Sequence, residues 1–429
     1  MLDFNQEYEY MRQKQEKSRL ARRFISGILV GCFVALFIFF GVYVFSGIRM
    51  GKPAGPALTE KTGESEQETD DLLNDTTISK INSLEDVIDT YYYKDDVSKD
   101  AEADGLYKGL MESLGDPYSV YYTAEELDQL MSDTQGIYYG IGAYVSIDTD
   151  MNLPRISGVI PGTPAEEADL AIDDIIYQVD GNPTEGLELD KVVSMIKGEE
   201  GTKVHLTLLR GSKRQEVNVD VERRAVEVPT VTTKTLDNNI GYLQITEFDD
   251  VTPDQFTEGM AELRENGMKG LIIDLRSNPG GSLAAVCDIA RQLLPKGDIV
   301  YTIDREGNRE DYKCDGKHQI DIPVVVLVNQ YSASASEILA GAIKDYEVGQ
   351  LVGTKTYGKG IVQRIFDLKD GTAVKLTVSN YYTPKGNDIH GIGIEPDVKV
   401  EFDSDAYAED KSDNQLDKAV EIMNKLIDN

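Results

Sequence analysis

The chain has 429 residues, 41% of them hydrophobic, and a formal net charge of -33 from 76 acidic and 43 basic side chains. This length allows about two or three domains with their own cores, so the chain is not disordered as a whole. Sequence-independent binding of nucleic acid needs a basic face that releases counterions, and the large acidic excess argues against it.

An uncharged apolar run, Ile25 to Ile48, is the first strong feature of the chain. A helix of this length crosses a bilayer core of about 30 Å, whereas a cleaved signal peptide has an apolar region of only about 7 to 15 residues. Residues 25–48 are therefore predicted to be a retained transmembrane anchor, with cleavage near Ala54 as the alternative.

Basic residues are concentrated before this run. They are Arg12, Lys14, Lys17, Arg19, Arg22 and Arg23, whereas only Arg49 and Lys52 follow it closely. Positive flanks stay in the cytoplasm, which predicts a cytoplasmic tail over residues 1–24 and places the rest of the chain outside. The anchor, the acidic outer part and the scarcity of cysteine together predict a single-pass protein of a bacterial cytoplasmic membrane, on the outer face of a Gram-positive-type envelope.

The outer part of the chain has few cysteines. Cys32 lies in the apolar run, so Cys287 and Cys314 are the only possible outer pair. One pair is too few for a disulfide framework, and both are predicted to be unpaired or buried thiols.

The segment after the anchor changes character near residue 77. Residues 49–76 are predicted to be a disordered linker, because they are rich in Pro, Gly, Thr and Glu and nearly free of large apolar side chains. Apolar residues at helical spacing then predict an N-terminal helical segment over residues 77–135, interrupted at Gly115-Asp116-Pro117.

Residues 136–222 carry short apolar runs typical of strands. The predicted strands span residues 141–147, 155–160, 175–179, 204–209 and 216–221. One interrupting helix is predicted to begin with a capping box formed by Thr163 and Glu166, and a second is predicted to stop at Gly198.

The unit opens with a glycine-containing loop made of Tyr139, Gly140, Ile141, Gly142 and Ala143. With the order of elements that follows and the Val179-Asp180-Gly181 turn, it resembles a PDZ domain. The resemblance implies that backbone N–H groups of this loop bind a peptide's terminal carboxylate. The segment Asp169-Leu-Ala-Ile-Asp-Asp174 lacks the glycines usual in that family, which leaves open the turn before Ile175.

Strands and helices alternate over residues 223–402, which predicts an α/β core. Residues 403–429 are predicted to form a C-terminal helical tail with one apolar stripe, Leu416, Val420, Met423 and Leu426.

Three motifs in this core carry candidate chemistry: Asp274-Leu-Arg-Ser-Asn-Pro-Gly280-Gly281, Ser332-Ala-Ser334-Ala-Ser336-Glu337 and Tyr357-Gly-Lys359-Gly-Ile-Val-Gln363. Alone, each is compatible with an ordinary turn, a helix cap or a surface lysine. The serine motif, however, lies between an apolar strand and a helix, so a serine hydroxyl is predicted to face the positive end of a helix dipole. A nucleophile is expected in such a position.

A serine nucleophile needs a base, and the candidates are a histidine or a lysine whose pKa is lowered from about 10.4 by burial. Of the three histidines, only His390 lies where it could compete. Lys359 lies between two glycines, where close packing would favour its neutral amine. A serine/lysine dyad is therefore preferred, and a Ser334–His390 pair is the rival, weakened by the absence of a Gly-x-Ser-x-Gly motif.

Together the motifs, the PDZ-like unit and Gly391-Ile-Gly-Ile-Glu-Pro-Asp397 resemble the C-terminal processing peptidases, also called tail-specific proteases, over about residues 78 to 400. The resemblance implies an α/β (α+β) multidomain chain. It would have a crotonase- or ClpP-like peptidase core with an inserted PDZ domain. The N-terminal helical segment and the single N-terminal transmembrane helix, predicted above from the residues, complete the expected fold.

By position, the resemblance assigns Ser334 as the nucleophile, Lys359 as the general base and Gln363 as the residue that orients the lysine. It assigns the N–H groups that stabilise the oxyanion to Gly280, Gly281 and Ala335, without deciding which glycine donates. Ser332 and Ser336 are expected to have structural roles. The roles of Glu337, Asp345 and Thr356 are left open: each could position the proposed dyad or make only local structural contacts. Serine acylation needs neither a metal nor another cofactor, and the sequence shows no cluster of metal ligands.

The predicted function is a membrane-anchored, extracytoplasmic serine endopeptidase that cleaves proteins near their C-terminal tails, with the PDZ domain binding the substrate's C-terminus. The resemblance also implies a homodimer formed through the N-terminal helices and the tail helix. The alternative is a PDZ scaffold with a catalytically inactive peptidase core.

Overall fold

A computed structural model describes residues 71–94 and 97–428. The chain consists of two units, residues 1–95 and 96–429. The described part of the first unit is helix α1 (Asp75–Tyr91), capped by Asn74, whose side chain accepts a hydrogen bond from the Thr77 N–H. The predicted cytoplasmic tail, the anchor and most of the linker lie outside the described residues. No helix within the described ranges is both long and apolar enough to cross a membrane.

The second unit contains the remaining elements. Its helices are α2 (Lys99–Glu112), α3 (Ala124–Gln135), α4 (Pro164–Glu167), α5 (Leu189–Ile196), α6 (Thr252–Glu265), α7 (Leu283–Ala290), α8 (Ala335–Asp345), α9 (Ser404–Asp410) and α10 (Asn414–Ile427). Its strands are β1 (Val120–Tyr122), β2 (Ile137–Gly140), β3 (Ala143–Asp148), β4 (Leu153–Val159), β5 (Ile175–Val179), β6 (Asn182–Pro183), β7 (Lys203–Arg210), β8 (Gln215–Glu222), β9 (Arg224–Glu227), β10 (Val231–Leu236), β11 (Ile240–Ile245), β12 (Gly270–Asp274), β13 (Gly297–Asp304), β14 (Arg309–Cys314), β15 (Val324–Val328), β16 (Gly349–Gly353), β17 (Ile361–Asp367), β18 (Ala373–Tyr382) and β19 (Val398–Lys399).

The central sheet has the strand order β10-β11-β12-β15-β16-β19, and every neighbouring pair after β10 and β11 is parallel. Strands β12 and β15 are buried along their whole length, because apolar side chains of α6, α7 and α8 pack on one face and those of α10 on the other. Two-sided burial explains why these strands are continuously apolar instead of alternating. The predicted mixed α/β fold is confirmed.

A second sheet pairs β18 with β1, β13 and β17, and β13 with β14. It joins a strand of the N-terminal segment to the loop that follows β16. Residues near 118 are thereby placed beside residues near 359, although the sequence separates them widely.

The PDZ-like unit is a sheet of β3, β4, β5, β7 and β8, with β6 paired to β5, around a core of its own. Its strands agree with the predicted ones to within about two residues. The antiparallel pair of β2 and β9 joins this unit to the α/β core, with Ile137 opposite Glu227.

Two local predictions in this unit have informative outcomes. The Thr163 capping box is wrong: the Thr163 hydroxyl donates to the Ile160 carbonyl at 2.6 Å, and the Glu166 carboxylate accepts from the Gly162 N–H instead. The turn before Ile175 does form without glycine, because Asp169 and Asp173 adopt φ values of 56° and 74°. Aspartate tolerates this left-handed region better than most residues.

The predicted state of Cys287 and Cys314 is confirmed. Cys287 and Cys314 are both free and buried.

Candidate active site

The three candidate motifs meet at one edge of the central sheet. Strands β12, β15 and β16 are adjacent and parallel, so their carboxyl ends lie side by side. The Gly280-Gly281 turn follows β12, Ser334 follows β15 and Lys359 follows β16. Loops at this edge of a parallel sheet are the usual place for a site in an α/β fold.

Ser334 is the residue immediately before α8, and its backbone has φ 54° and ψ −114°. A non-glycine residue pays a conformational cost there, and such strain persists only where the surroundings impose it. Two contacts impose it here: the Ala333 N–H donates to the Asn278 carbonyl at 3.0 Å, and the Tyr381 hydroxyl donates to the Ser334 carbonyl at 3.0 Å.

Glu337 joins the serine motif to the lysine loop. Its side chain is fully buried, and its Oε2 atom accepts from the main-chain N–H groups of Ser334 at 3.0 Å and Lys359 at 2.8 Å. Its Oε1 atom accepts from the Thr356 hydroxyl at 2.6 Å and the Gly358 N–H at 2.7 Å. Each carboxylate oxygen thus has two donors, the arrangement in which a charged acceptor can be buried.

The Lys359 side chain is half-buried, and its Nζ lies 4.4 Å from the centroid of the Tyr118 ring. Burial lowers the pKa of the Lys359 ammonium, the nearby charge of Lys375 lowers it further, and Asp116 partly opposes both. Among the described residues, Lys359 Nζ and Ser334 Oγ share no hydrogen bond. The environment of Lys359 therefore favours its neutral amine, and its Nζ atom lies against the Tyr118 ring.

The glycine turn packs directly against the serine. Gly280 has φ 109°, and a β-carbon placed on it would lie 2.7 Å from Ser334 Cβ and 3.0 Å from the Ala335 nitrogen. Its N–H donates to the Asn278 side chain at 2.8 Å. In contrast, the N–H groups of Gly281 and Ala335 have no acceptor within the described part of the chain. These two donors are free to meet a ligand.

A cavity of about 520 Å³ lies beside Ser334. Gly281, Ala335 and Gln363 also line it. The Gln363 amide lies 3.5 Å from the Ile361 carbonyl and 3.4 Å from the Thr377 hydroxyl, and no contact with Lys359 is recorded in the described ranges. Its predicted role in orienting the lysine stays a prediction.

The neighbouring serines have structural contacts. The Ser332 hydroxyl donates to the Leu275 carbonyl at 2.7 Å, and the Ser336 hydroxyl donates to the Asn278 carbonyl at 3.0 Å. Asp345, at the far end of α8, accepts from the Lys385 N–H at 2.8 Å. The side chains of these three residues therefore hold neighbouring loops in place, whereas the Glu337 carboxylate contacts Thr356, Gly358 and Lys359 of the lysine loop.

His390, the rival base, is exposed to solvent. Its main-chain N–H donates to the Asp388 side chain at 2.8 Å, and its backbone packs against Gly360. Nothing in the described part of the chain joins its ring to Ser334, so the geometry favours the lysine.

The glycine loop of the PDZ-like unit runs from the end of β2 to the start of β3. The Ile141 carbonyl accepts from the Ala165 N–H at 2.7 Å, and the Gly142 carbonyl accepts from the Ile160 N–H at 2.9 Å. Gly142 has φ 84°, and a β-carbon there would lie 2.2 Å from Thr163 Cβ, so only glycine fits. Tyr139 is exposed beside the loop.

Several residues near Ser334 and Lys359 could not be predicted from the sequence: Tyr118, Asn278 and Tyr381. Tyr118 follows the Asp116-Pro117 pair, which was interpreted only as a turn. Tyr381 lies in an apolar strand, and its hydroxyl contacts the carbonyls of both Ser334 and Lys359. Only the pairing of β1 and β17 with β18 brings these strands to the site, so no local pattern could have identified them.

Comparison with known proteins identifies the family of this chain. Residues 239–400 match peptidase family S41, residues 155–210 match a PDZ domain, and residues 40–126 match the activating protease CtpB N-terminal domain. The chain belongs to peptidase family S41, the family of the carboxyl-terminal processing proteases.

Two relatives show how far the similarity extends. The carboxyl-terminal-processing protease of Synechocystis sp. is 37% identical over 320 residues, which cover 73% of this chain and 75% of the relative. The carboxy-terminal processing protease CtpA of Bacillus subtilis is 36% identical over 330 residues, covering 76% and 70%. Among solved structures, a photosystem II D1 C-terminal processing protease is 31% identical, with coverage of 75% and 88% and a TM-score of 0.45.

Proposed function

We propose that this chain is a serine endopeptidase that cleaves polypeptides near their carboxyl termini, with Ser334 as nucleophile and Lys359 as general base. The observation that supports this most strongly is the Glu337 Oε2 atom, which accepts from the N–H groups of both residues. Since both bonds end on one oxygen atom, the two backbone nitrogens cannot be further apart than the sum of the two distances. A scaffold without activity would not need this arrangement.

In the proposed reaction, the neutral Lys359 amine takes the proton of the Ser334 hydroxyl as Oγ attacks the peptide carbonyl carbon. Burial supports this role because it disfavours the ammonium form. The resulting ammonium donates its proton to the leaving nitrogen, and the C–N bond breaks to leave an ester on Ser334. Lys359 then deprotonates a water molecule that attacks the ester, and the serine recovers its proton.

The oxyanion of each tetrahedral intermediate is proposed to accept from the N–H groups of Gly281 and Ala335. Gly280 is less suitable, because its N–H already donates to Asn278. Preorganised donors of this kind each contribute a factor of about 100 to 1,000 in kcat. They lie at the wall of the cavity, where a peptide carbonyl can reach them.

Productive geometry requires the Lys359 side chain to leave the Tyr118 ring. Catalytic hydrogen bonds are often long or absent before substrate binds, so this rotation is compatible with the dyad. Gln363 lines the same cavity and is proposed to hold the lysine after it rotates. In this proposal, the amine of Lys359 contacts Tyr118 only before substrate binds.

Other parts of the chain are proposed to bind the substrate and to anchor the protein in the membrane. The loop from Tyr139 to Ala143 is proposed to bind the substrate's terminal carboxylate, so that cleavage falls on nearby residues. Residues 25–48 are proposed to anchor the chain in a bacterial cytoplasmic membrane with the peptidase outside, and two copies are proposed to associate through the N-terminal helices and α10. These proposals rest on the sequence.

Mass spectrometry of an unfolded protein substrate, incubated with the full-length chain in detergent, tests the function. We expect products shortened from the carboxyl end that are absent with Ser334→Ala and Lys359→Met and retained with His390→Ala. Cleavage by wild type and Ser334→Ala alike would show that Ser334 is not the nucleophile. A wild-type chain that binds a tail peptide without cleaving it would support the scaffold alternative.

A further inference from the structure

The cavity beside Ser334 has an acidic wall. Asp133 at the end of α3, together with Glu247 and Asp249 after β11, lines it. Lys375 is the basic residue among its lining groups, and its Nζ lies 5.2 Å from the Tyr122 ring centroid. In the described ranges Lys375 makes no ion pair with any of these carboxylates, so the acidic wall is not neutralised from within.

Asp249 is a member of this wall whose carboxylate has no partner among the described residues. It is only 6% exposed, yet within the described part of the chain its carboxylate has no hydrogen-bond donor and no ion-pair partner. Its main-chain N–H and carbonyl are both satisfied by Thr252. A buried carboxylate without a partner is costly, and the cost is relieved by a proton or by a cation that enters the cavity.

The acidic wall lies next to the reacting groups. Phe248, between Glu247 and Asp249, forms a parallel bridge with Gly281: its N–H donates to the Gly280 carbonyl at 2.9 Å, and its carbonyl accepts from the Ser282 N–H. This segment therefore runs alongside the glycine turn whose N–H is proposed to bind the oxyanion. A side chain of a bound peptide close to the scissile bond would reach it.

We propose that this cavity selects a lysine or arginine side chain next to the scissile bond of the substrate, with Asp249 as the specificity-determining residue. The inference rests on the proposed peptidase function and adds a substrate class to it. A long cationic side chain fits both parts of the wall, because its methylene groups can pack on Leu283 and Ile338 while its charged end reaches the carboxylate.

Two further observations favour an organic cation. No group of three or more carboxylate, imidazole or thiol side chains among the described residues is arranged to hold a metal ion. The chain as a whole carries a net charge of -33, so its field attracts basic peptides over acidic ones.

The test compares three peptides that share one apolar carboxyl-terminal tail. The residues on both sides of the cleaved bond are lysine in the first peptide, methionine in the second and glutamate in the third. For the full-length wild type, kcat/KM is expected to be at least about tenfold higher for lysine than for methionine, with glutamate poorest. Asp249→Asn should remove the preference for lysine, so that kcat/KM for the lysine and methionine peptides becomes similar. Asp128→Asn, an exposed change on α3 outside the cavity, should keep the preference.

The ratio of kcat/KM for the lysine and methionine peptides also has an expected pH dependence. Burial, Glu247, Asp250 and Asp133 raise the pKa of Asp249 to about 7. Asp249 is thus surrounded by the acidic groups Glu247 and Asp250 of its own segment and Asp133 of α3, and the basic Lys375 also lines the cavity. The ratio should rise as pH increases through about 7 in wild type and stay flat in Asp249→Asn, and titration of the dyad cancels because both peptides meet the same enzyme.

The outcomes separate the two proposals. Equal rates for the three peptides in wild type, or an unchanged preference in Asp249→Asn, would overturn the inference while leaving the peptidase function intact. Should Asp249→Asn fail to fold, Glu247→Gln at the exposed rim provides the same comparison and should reduce the preference. Failure of wild type to cleave any of the three peptides would count against both proposals, whereas cleavage that persists in Ser334→Ala would count against the nucleophile alone.

Discussion

The Oε2 atom of Glu337 accepts a hydrogen bond of 2.8 Å from the main-chain N–H of Lys359. The same atom accepts from the Ser334 N–H, so one buried carboxylate holds the loops that carry the proposed nucleophile and base. Relative motion of these two loops would have to break charge-assisted hydrogen bonds, which are stronger than neutral ones. Glu337 is thus a positioning residue in the proposed mechanism.

Glu337→Gln is expected to lower kcat by at least about 100-fold with little change in KM, because small displacements of reacting groups have effects of this size. It should also lower the free energy of unfolding by about 1 to 3 kcal/mol, since an amide NH₂ in place of Oε1 would face the Gly358 N–H donor. Peptide cleavage kinetics and chemical denaturation measure the two effects. Asp345→Asn, at the other end of α8, is the control, and wild-type kcat in Glu337→Gln would contradict the positioning role.

Lys375→Met is expected to move the pH dependence of kcat/KM to higher pH. The proposed base works as the neutral amine, so activity rises with pH through the pKa of Lys359, and the charge of Lys375 lowers that pKa. Removing the charge should raise it. Asp116→Asn should shift the profile in the opposite direction because Asp116 raises the same pKa. Lys399→Met, an exposed lysine on β19, should leave the midpoint in place, and identical midpoints in all four proteins would refute the assignment.

Gly280→Ala is expected to reduce kcat/KM by at least about 100-fold. The added carbon would lie 2.7 Å from Ser334 Cβ and 2.8 Å from the Ala333 carbonyl oxygen, at a φ of 109° that alanine rarely adopts. The turn must therefore shift away from the nucleophile. Gly105→Ala in α2 meets no atom within 4 Å and should be neutral or stabilising by up to about 1 kcal/mol. Normal activity in Gly280→Ala would show that the turn does not shape the site.

Asp249→Asn is expected to stabilise the fold more at pH 8 than at pH 5. Because the folded-state pKa of Asp249 is raised to about 7, from an ordinary value of 3.8, its contribution to stability is fully present only below the ordinary value and is lost as pH rises from there through about 7. The neutral amide avoids this loss, by about 1 to 3 kcal/mol at pH 8. Thermal unfolding at the two pH values measures the difference. Equal stability of wild type and variant at pH 8 would mean that the carboxylate is not strained without a ligand.

Local sequence patterns predicted the helices and strands well where the spacing of apolar residues agreed with the turn and cap residues at the ends. Apolar runs such as Val324–Val328 indicated buried strands, and the serine motif after that strand indicated a strand-to-helix turn. The capping prediction at Thr163 is wrong because its hydroxyl donates to the Ile160 carbonyl, three residues earlier in the chain. Competition of this kind depends on the path of the loop, which no residue pattern encodes.

The sequence by itself determined the family, the α/β order of the core and the candidates Ser334 and Lys359, because motifs, element order and spacing are properties of neighbouring residues. Only the tertiary structure decided which groups surround them. Tyr118 and Tyr381 reach the lysine and the serine through strand pairing, and Asp133 and Asp249 meet in one cavity although 116 positions separate them. Long-range pairing depends on the packing of whole sheets, so the environment of Ser334 and Lys359 and the charge of the cavity emerge only when the chain is folded.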